Sequence, residues 1–385
     1  MNQQNITSNN FTILPEKSIN LYCPIGHTGY GITSANIAIA LYRSNIPISL
    51  FPIGNINVNN DEEKKFFAYT INNSRSFNPE SPCLKIWHQF DLASKIGNGH
   101  YYTYPFFELD TFTASEVHNL NFSNYIFASS QWAKNILLQN KVKKPIYIAP
   151  LAVDTNIFQC PPKIKLQGKP YTFFNIGKWE KRKSQEFAIK AFNAAFSMRD
   201  NVELRLIPQL EILSDETKQK MFDLIESSPL KSKIKLLNRL PNQYELAQYI
   251  WDGDCGVFLS RAEGWNNAIL ETMAMNRPVI VTNYSAHTEY CDKNNAMLVD
   301  ITELENANDG IWFHGQGNWA KLGQKQFDQT VEYMRYVYSN NIRTNPGGLE
   351  TVKKYTWEKT AQIISDTMIA NGSFYANTKK RRKRR

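Results

Sequence analysis

The chain has no apolar stretch near the roughly 20 residues needed to cross a bilayer, so no membrane span is expected in its 385 residues. Its first ten residues, Met1–Asn10, are polar and rich in Asn and Gln. They have neither the basic start nor the apolar middle of a secretion signal, which points to a cytoplasmic protein. Cysteine is scarce: Cys23, Cys83, Cys160, Cys255 and Cys291 form an odd set with no C-x-x-C pair, which argues against a disulfide framework or a thiolate metal site. Cys23 and Cys255 fall in strand-like runs and read as small core residues. No short repeat is present. A full G-x-G-x-x-G fingerprint is missing too. Gly26, Gly29 and Gly31 have a different spacing, and the second strand ends Phe51-Pro52-Ile53-Gly54 with no acidic residue for a ribose. This argues against a conventional nicotinamide site.

What is present suits a two-domain globular protein. The length exceeds one ordinary core, and 42% of residues are hydrophobic and 13% aromatic. The net charge of +9 misleads, because Lys379–Arg385 is an unbroken basic run whose seven charges, once removed, leave only +2. The tail is expected to be disordered and solvated, or to touch an anionic membrane; nucleic-acid binding or nuclear import is less favoured.

Short apolar runs alternate with amphipathic segments almost throughout. In the first half the strand-like runs are Ile19–Ile25, Ile46–Pro52, Leu84–Trp87, Tyr101–Phe107, Tyr125–Ala128 and Ile146–Ala149, with helices such as Ile32–Arg43 and Trp132–Gln139 between them. Phe158–Pro170, with Cys160-Pro161-Pro162 and Gly168, reads as a linker. The second half repeats the alternation with strands at Thr172–Ile176, Glu203–Ile207, Ile234–Leu237, Asp254–Leu259, Pro278–Val281 and Met297–Val299. Its helices include Ser184–Phe196, Glu216–Ile225, Tyr244–Trp251 and Asn267–Ala274, followed by long helices at Trp319–Tyr338 and Lys353–Ile369. Such alternation implies parallel sheets covered on both faces. The expected fold class is therefore α/β, with two Rossmann-like domains facing across a cleft, the usual place for a ligand. The boundaries read as 1–158, 171–352, a helix over 353–372 and a basic tail over 373–385.

The chemistry concentrates at a few loops. Glu263 and Glu271 stand eight positions apart, one in the polar stretch Ser260–Asn267 and one in the following helix. On one continuous helix they would lie about 80° out of register. A loop acid and a helix acid can instead face one crevice, where charge-assisted acceptors suit the hydroxyls of a sugar nucleotide; the bland alternative is two unrelated surface acids. Asn175–Lys183 carries four cations in six positions after a strand, which suits a diphosphate clamp with Lys178 and Lys183 foremost, or else a solvated basic turn. Gly29 and Gly31, with Gly26, let a backbone approach a phosphate or sugar at a helix start. His88, Glu108 and Asp110 follow first-half strands, where they could take a proton or steady a developing positive charge. Alternatively, His88 is simply hydrogen-bonded and Asp110 caps a helix. His287 also follows a strand. Asp252-Gly253-Asp254 has the form of a two-carboxylate metal signature but reads better as a turn before a buried strand.

Taken together these pieces resemble the family 4 glycosyltransferases, over about Ile19–Ile369. The specific match is Glu263–Glu271, which has that family's E-x7-E form, with Glu-Gly at its start and Leu-Glu-x-Met-Ala at its end. Ala149-Pro150-Leu151-Ala152-Val153-Asp154, Ile176-Gly177-Lys178 with Lys183, and Tyr355-Thr356-Trp357 resemble three further family segments. The resemblance implies the GT-B fold, with the last helix crossing back to the first domain. It implies transfer of a sugar from a nucleotide-sugar with retention and without metal, to a glycan, lipid-linked or other hydroxyl acceptor. Glu263 would meet the donor sugar, Glu271 the ribose and Lys178 with Lys183 the diphosphate. Gly29–Gly31 would face the cleft, and Asn266 and Asn267 would line the donor pocket. The chain departs from the pattern at Ala152 for Gly, at Lys178 for Arg with Arg182 able to share its load, and at Trp265-Asn266-Asn267. In place of the family's His-containing stretch stands Phe106–Asp110, so Glu108 and His88 are the catalytic candidates beside Glu263. A nucleotide-sugar epimerase of the same fold, or a non-catalytic nucleic-acid binder using the tail, are the rival readings.

Overall fold

The computed structural model describes residues 17–160 and 169–374. The polar start, the middle of the linker and the basic run Lys379–Arg385 lie outside the described residues. Two six-stranded sheets account for the alternation. The first comprises β1 (Ile19–Cys23), β2 (Ile48–Pro52), β3 (Cys83–Lys85), β4 (Tyr101–Thr103), β5 (Tyr125–Ala128) and β6 (Ile146–Ile148), in the spatial order β2-β1-β3-β4-β5-β6. The second comprises β7 (Tyr171–Ile176), β8 (Val202–Ile207), β9 (Ile234–Leu236), β10 (Cys255–Phe258), β11 (Val279–Asn283) and β12 (Met297–Asp300), in the order β12-β11-β10-β7-β8-β9. Every pairing in both sheets is parallel. The expectation of two Rossmann-like domains is therefore met.

Both orders contain a point at which the winding reverses: between β1 and β3 in the first sheet, and between β7 and β10 in the second. Loops leaving the carboxyl ends of strands on either side of such a point diverge and leave a crevice. In the first domain these loops carry Gly26–Thr28 and His88. In the second they carry Gly177–Lys183 and Ser260–Asn266. The topology thus delivers the residues singled out above to two crevices.

The helices of the first domain are α1 (Gly29–Arg43), α2 (Asp61–Asn73), α3 (Ala114–Phe122) and α4 (Gln131–Gln139). Those of the second are α5 (Gln185–Ala195), α6 (Asp215–Glu226), α7 (Gln243–Asp252), α8 (Asn267–Ala274), α9 (Gln324–Ser339), α10 (Pro346–Val352) and α11 (Trp357–Ala370). Side-chain caps start many of them: Thr28, Asn60, Thr113, Ser130, Ser214 and Thr356 each accept a backbone N–H of the first turn. The helix expected over Trp319–Tyr338 needs correction. Trp319 belongs to an antiparallel hairpin, β13 (Leu304–Asn308) and β14 (His314–Ala320), and the helix begins only at Gln324. Asn308-Asp309-Gly310 turns the hairpin, and Asp309 Oδ1 accepts the N–H groups of Ile311, Trp312 and Phe313.

Helix α11 packs on α1, as expected of a helix crossing back to the first domain. Thr360 Oγ1 donates to Pro150 O at 2.7 Å, and Tyr102 Oη and Ser373 Oγ lie 2.6 Å apart. Ser373 and Phe374, assigned to the tail by the sequence reading, are buried. No described helix is long and apolar enough to cross a membrane.

Candidate active site at the domain seam

The turn after β7 holds a compact charge cluster. Lys183 Nζ lies 2.6 Å from Glu263 Oε1, and Arg182 Nη1 lies 2.8 Å from Glu263 Oε2. Arg182 Nη2 meets Glu180 Oε1 at 2.5 Å, and Lys178 Nζ lies 3.1 Å from Glu180 Oε2. From the first domain Glu108 approaches, its Oε1 3.9 Å from Arg182 Nη2. Glu263 sits in the loop between β10 and α8, with its backbone N–H donating to Ser285 Oγ at 2.9 Å. Burial alone would raise its carboxyl, but Arg182 and Lys183 outweigh that and hold it well below the ordinary carboxylate range. Glu108 goes the other way, raised by loss of solvent and by Glu263 and Glu180, with Arg182 only partly opposing.

Glu271 lies within α8, as the spacing required, and is buried. Among the described residues its carboxyl has no hydrogen bond or ion pair. Burial pushes its carboxyl up to about 8. Tyr290 is within electrostatic reach of both Glu263 and Glu271, although no direct contact joins the two acids. Asn266 adopts a left-handed conformation (φ 77°) at the start of α8. Its Nδ2 is 3.2 Å from His287 Nε2, while His287 Nδ1 is 3.0 Å from Thr282 O. His287 is fully buried and its pKa drops to about 4, chiefly through desolvation; it buttresses Asn266. Asn267 opens α8 with its side chain half-buried. Trp265 packs between Tyr290 and Tyr355, with centroids at 4.7 and 5.7 Å.

On the first domain, His88 stacks nearly parallel on Phe90 (5.0 Å, 10°) and packs on Tyr30 at 4.5 Å. Burial lowers its pKa, which keeps the ring neutral near pH 7. Tyr30 is the link that the sequence did not reveal. Its hydroxyl donates to Phe106 O and accepts from Phe106 N, both at 2.8 Å, which fixes the segment leading into Glu108. Its place between Gly29 and Gly31 was the available signal. Gly31 itself has a packing duty: a Cβ there would lie 2.5 Å from Gly26 N. Gly29 is unconstrained by neighbours.

Asp110 does not cap α3; Thr113 does. Asp110 instead accepts the Asn318 backbone N–H at 2.7 Å and Asn318 Nδ2 at 3.2 Å from the hairpin of the second domain. Gln316 Nε2 adds bonds to Glu116 Oε2 and Thr111 O at 2.8 and 2.9 Å. The hairpin also covers the cationic turn, with Trp312 3.9 Å from Lys178 Nζ. Further seam contacts are Ser129 Oγ to Gly264 O at 2.6 Å and Arg239 Nη2 to His27 O at 2.8 Å. The cleft is thus shut around the cluster. A cavity of about 740 Å³ adjoins the cluster and is lined by Glu180, Lys181 and Trp312, and another of about 630 Å³ lies apart from it; Glu108, Glu263 and Glu271 line neither. Asp252 and Asp254 hold no common site: Asp254 accepts from Thr172 N and pairs with Arg343, and Asp252 accepts from Gln248.

Two parallel Rossmann-like sheets with a last helix returning to the first domain define the GT-B architecture. Residues 170–311 match the family described as "Glycosyl transferases group 1". The fold is similar to that of sucrose-phosphate synthase from Thermosynechococcus elongatus, with a TM-score of 0.69, 13% identity, and coverage of 92% of this chain and 99% of that one. It is also similar to Anabaena HepE in complex with UDP-glucose, with a TM-score of 0.64, 14% identity, and coverage of 92% and 99%. An uncharacterized glycosyltransferase of Methanocaldococcus jannaschii is 29% identical over 113 residues, which is 29% of this chain and only about a quarter (26%) of that relative's length. The second domain thus matches the group 1 glycosyl transferase family, and the described chain has the GT-B fold.

Proposed function

We propose that the protein moves a hexose from a nucleotide-sugar to a hydroxyl of a glycan or lipid-linked acceptor, with retention and without a bound metal. The observation that carries this reading is the buried Glu263 carboxylate, held by Arg182 and Lys183 at the second domain's switch point and faced by Glu108 across the seam. The donor would enter with its diphosphate on Lys178 and Lys183, displacing Glu180 and Glu263 from those ammonium groups. Glu271 would bond the ribose. As the C1–oxygen bond to the diphosphate breaks, the two lysines neutralise the charge on the leaving oxygen. The acceptor oxygen bonds to C1, and its proton passes to neutral His88 or to Glu108. Glu263 would stabilise positive charge on the sugar ring. The closed seam excludes water that would otherwise hydrolyse the donor.

UDP-sugars are the first donors to try, because HepE has been crystallised with UDP-glucose and the pneumococcal O-GlcNAc transferase GtfA with UDP and GlcNAc. Nucleoside diphosphates and nucleotide-sugars should be screened by thermal shift. A specific donor at a hundred times its Kd raises stability by about 2.7 kcal/mol. A flat response to every nucleotide would remove this reading, and interconversion of the donor without an acceptor would mark an epimerase instead. We also propose that Lys379–Arg385 brings the enzyme to an anionic membrane surface.

A further inference from the structure

Three carboxylates and three cations share the cluster, so it is neutral before any donor arrives. An incoming diphosphate adds negative charge and draws away Lys178 and Lys183. Each lysine has one carboxylate partner here: Glu180 for Lys178 and Glu263 for Lys183. Arg182 is built differently. It is 7% exposed, and its Nη1 also donates to Ala262 O at 2.8 Å. Its own carbonyl accepts the Arg261 N–H at 2.7 Å. The guanidinium is therefore tied to the loop that carries Glu263, away from the position of a solvent-facing phosphate ligand. Its second nitrogen serves Glu180 and, across the seam, Glu108.

We propose that Arg182 is a positioning residue for the transfer reaction proposed above, on which this inference rests. It keeps Glu263 anchored when Lys183 turns to the diphosphate, and it registers domain closure through Glu108. A planar fork suits this role, because one cation must hold carboxylates on two sides at fixed angles; a lysine cannot. The charged and titratable groups facing Glu263 are Arg182 and Lys183 from the turn, Glu180 behind them, His287 and Tyr290 from the segment after β11, and Glu108 from the first domain. Of these, only Arg182 remains a cationic partner once Lys183 leaves.

The test uses the full chain with UDP-glucose as donor and an oligosaccharide as hydroxyl acceptor, following UDP release over a pH series. Arg182→Lys should lower kcat roughly ten- to a hundredfold, as expected for a misplaced reactive group, with the donor KM held within about threefold. Arg182→Met should shift the acid limb of kcat upward by about one pH unit or more, because Glu263 loses a cation. A purely structural role would lower the melting temperature and leave that limb in place. Glu108→Gln, on the other domain, keeps the question open to test should Arg182→Met not fold. Its effect on kcat should largely vanish in the Arg182→Lys background. Wild-type turnover with an unmoved acid limb, or with additive effects of the two substitutions, overturns the Arg182 assignment alone. A wild-type protein that binds no nucleoside diphosphate and releases none from any nucleotide-sugar overturns the transferase reading and this inference together.

Discussion

Glu263 and Glu271 have the same side chain and opposite surroundings. Glu263 has two cations in contact and stays ionised through the physiological range. Glu271 has none, and desolvation moves it from the ordinary 4.5 to about 8. Between those values the folded protein binds more protons at this site than the unfolded chain does. The contribution of this site to stability should therefore fall as pH rises from about 4.5 to 8 and level off above that. Glu271→Gln should flatten this slope and raise the melting temperature at pH 8.5 by a few degrees, measured by calorimetry between pH 5 and 9. An unchanged slope would mean that the carboxyl finds water or a partner in solution. The placing of one acid in a loop and the other in a helix was legible from spacing, as was the cationic turn of Lys178 and Lys183; whether the two acids share a site was not. Tyr30 and Glu180 were not, because their importance lies in which neighbours they touch.

Among the elements, the hairpin β13–β14 has the clearest consequence for catalysis. It reaches from the second domain to Asp110, Thr111 and Glu116 of the first, and its Trp312 covers Lys178. Asp110→Ala removes the acceptor of both Asn318 bonds, each worth about 1 kcal/mol. This should lower kcat about tenfold while the circular-dichroism spectrum stays that of the wild type. If kcat is unaffected, the hairpin does not contribute to closure. The sequence reading merged β14 with the helix after it, because Trp319–Tyr338 is apolar at a spacing a helix also accepts. The turn signal Asn308-Asp309-Gly310 was there to correct it. The strands of the two parallel sheets were recovered within one or two residues at their starts; β1, β3, β4, β6, β9 and β10 end one to four residues earlier than expected, and β11 and β12 run slightly longer.

In the whole molecule, α11 ties the two domains together. Its buried Trp357, Ala361, Ile364 and Met368 belong to an apolar cluster that runs through both domains. Truncation before Trp357 would bare the matching face of α1, and size-exclusion chromatography should then show aggregate in place of monodisperse protein. Removal of Lys379–Arg385 alone should leave the melting temperature unchanged and reduce co-sedimentation with anionic vesicles. Equal sedimentation of the two forms would dismiss the membrane role. The seam also joins through Gly264, where a Cβ would lie 3.1 Å from Phe107 N. Backbone thus meets backbone at the point where the two domains close.

The sequence by itself determined two parallel α/β domains, the loops that carry charge, and the division of the acid pair between loop and helix. These follow from local periodicity and from strand-to-helix punctuation, both of which are short-range. The tertiary structure alone decided the partners: Arg182 between Glu263 and Glu108, Asp110 on Asn318, His287 behind Asn266. Those pairs join residues apart in the chain; Arg182 and Glu263 meet across the second domain's switch point, and Arg182 with Glu108 and Asp110 with Asn318 meet only where the domains close. Protonation was decided at the same level, because a carboxyl's charge depends on which cations and how much water its fold leaves beside it.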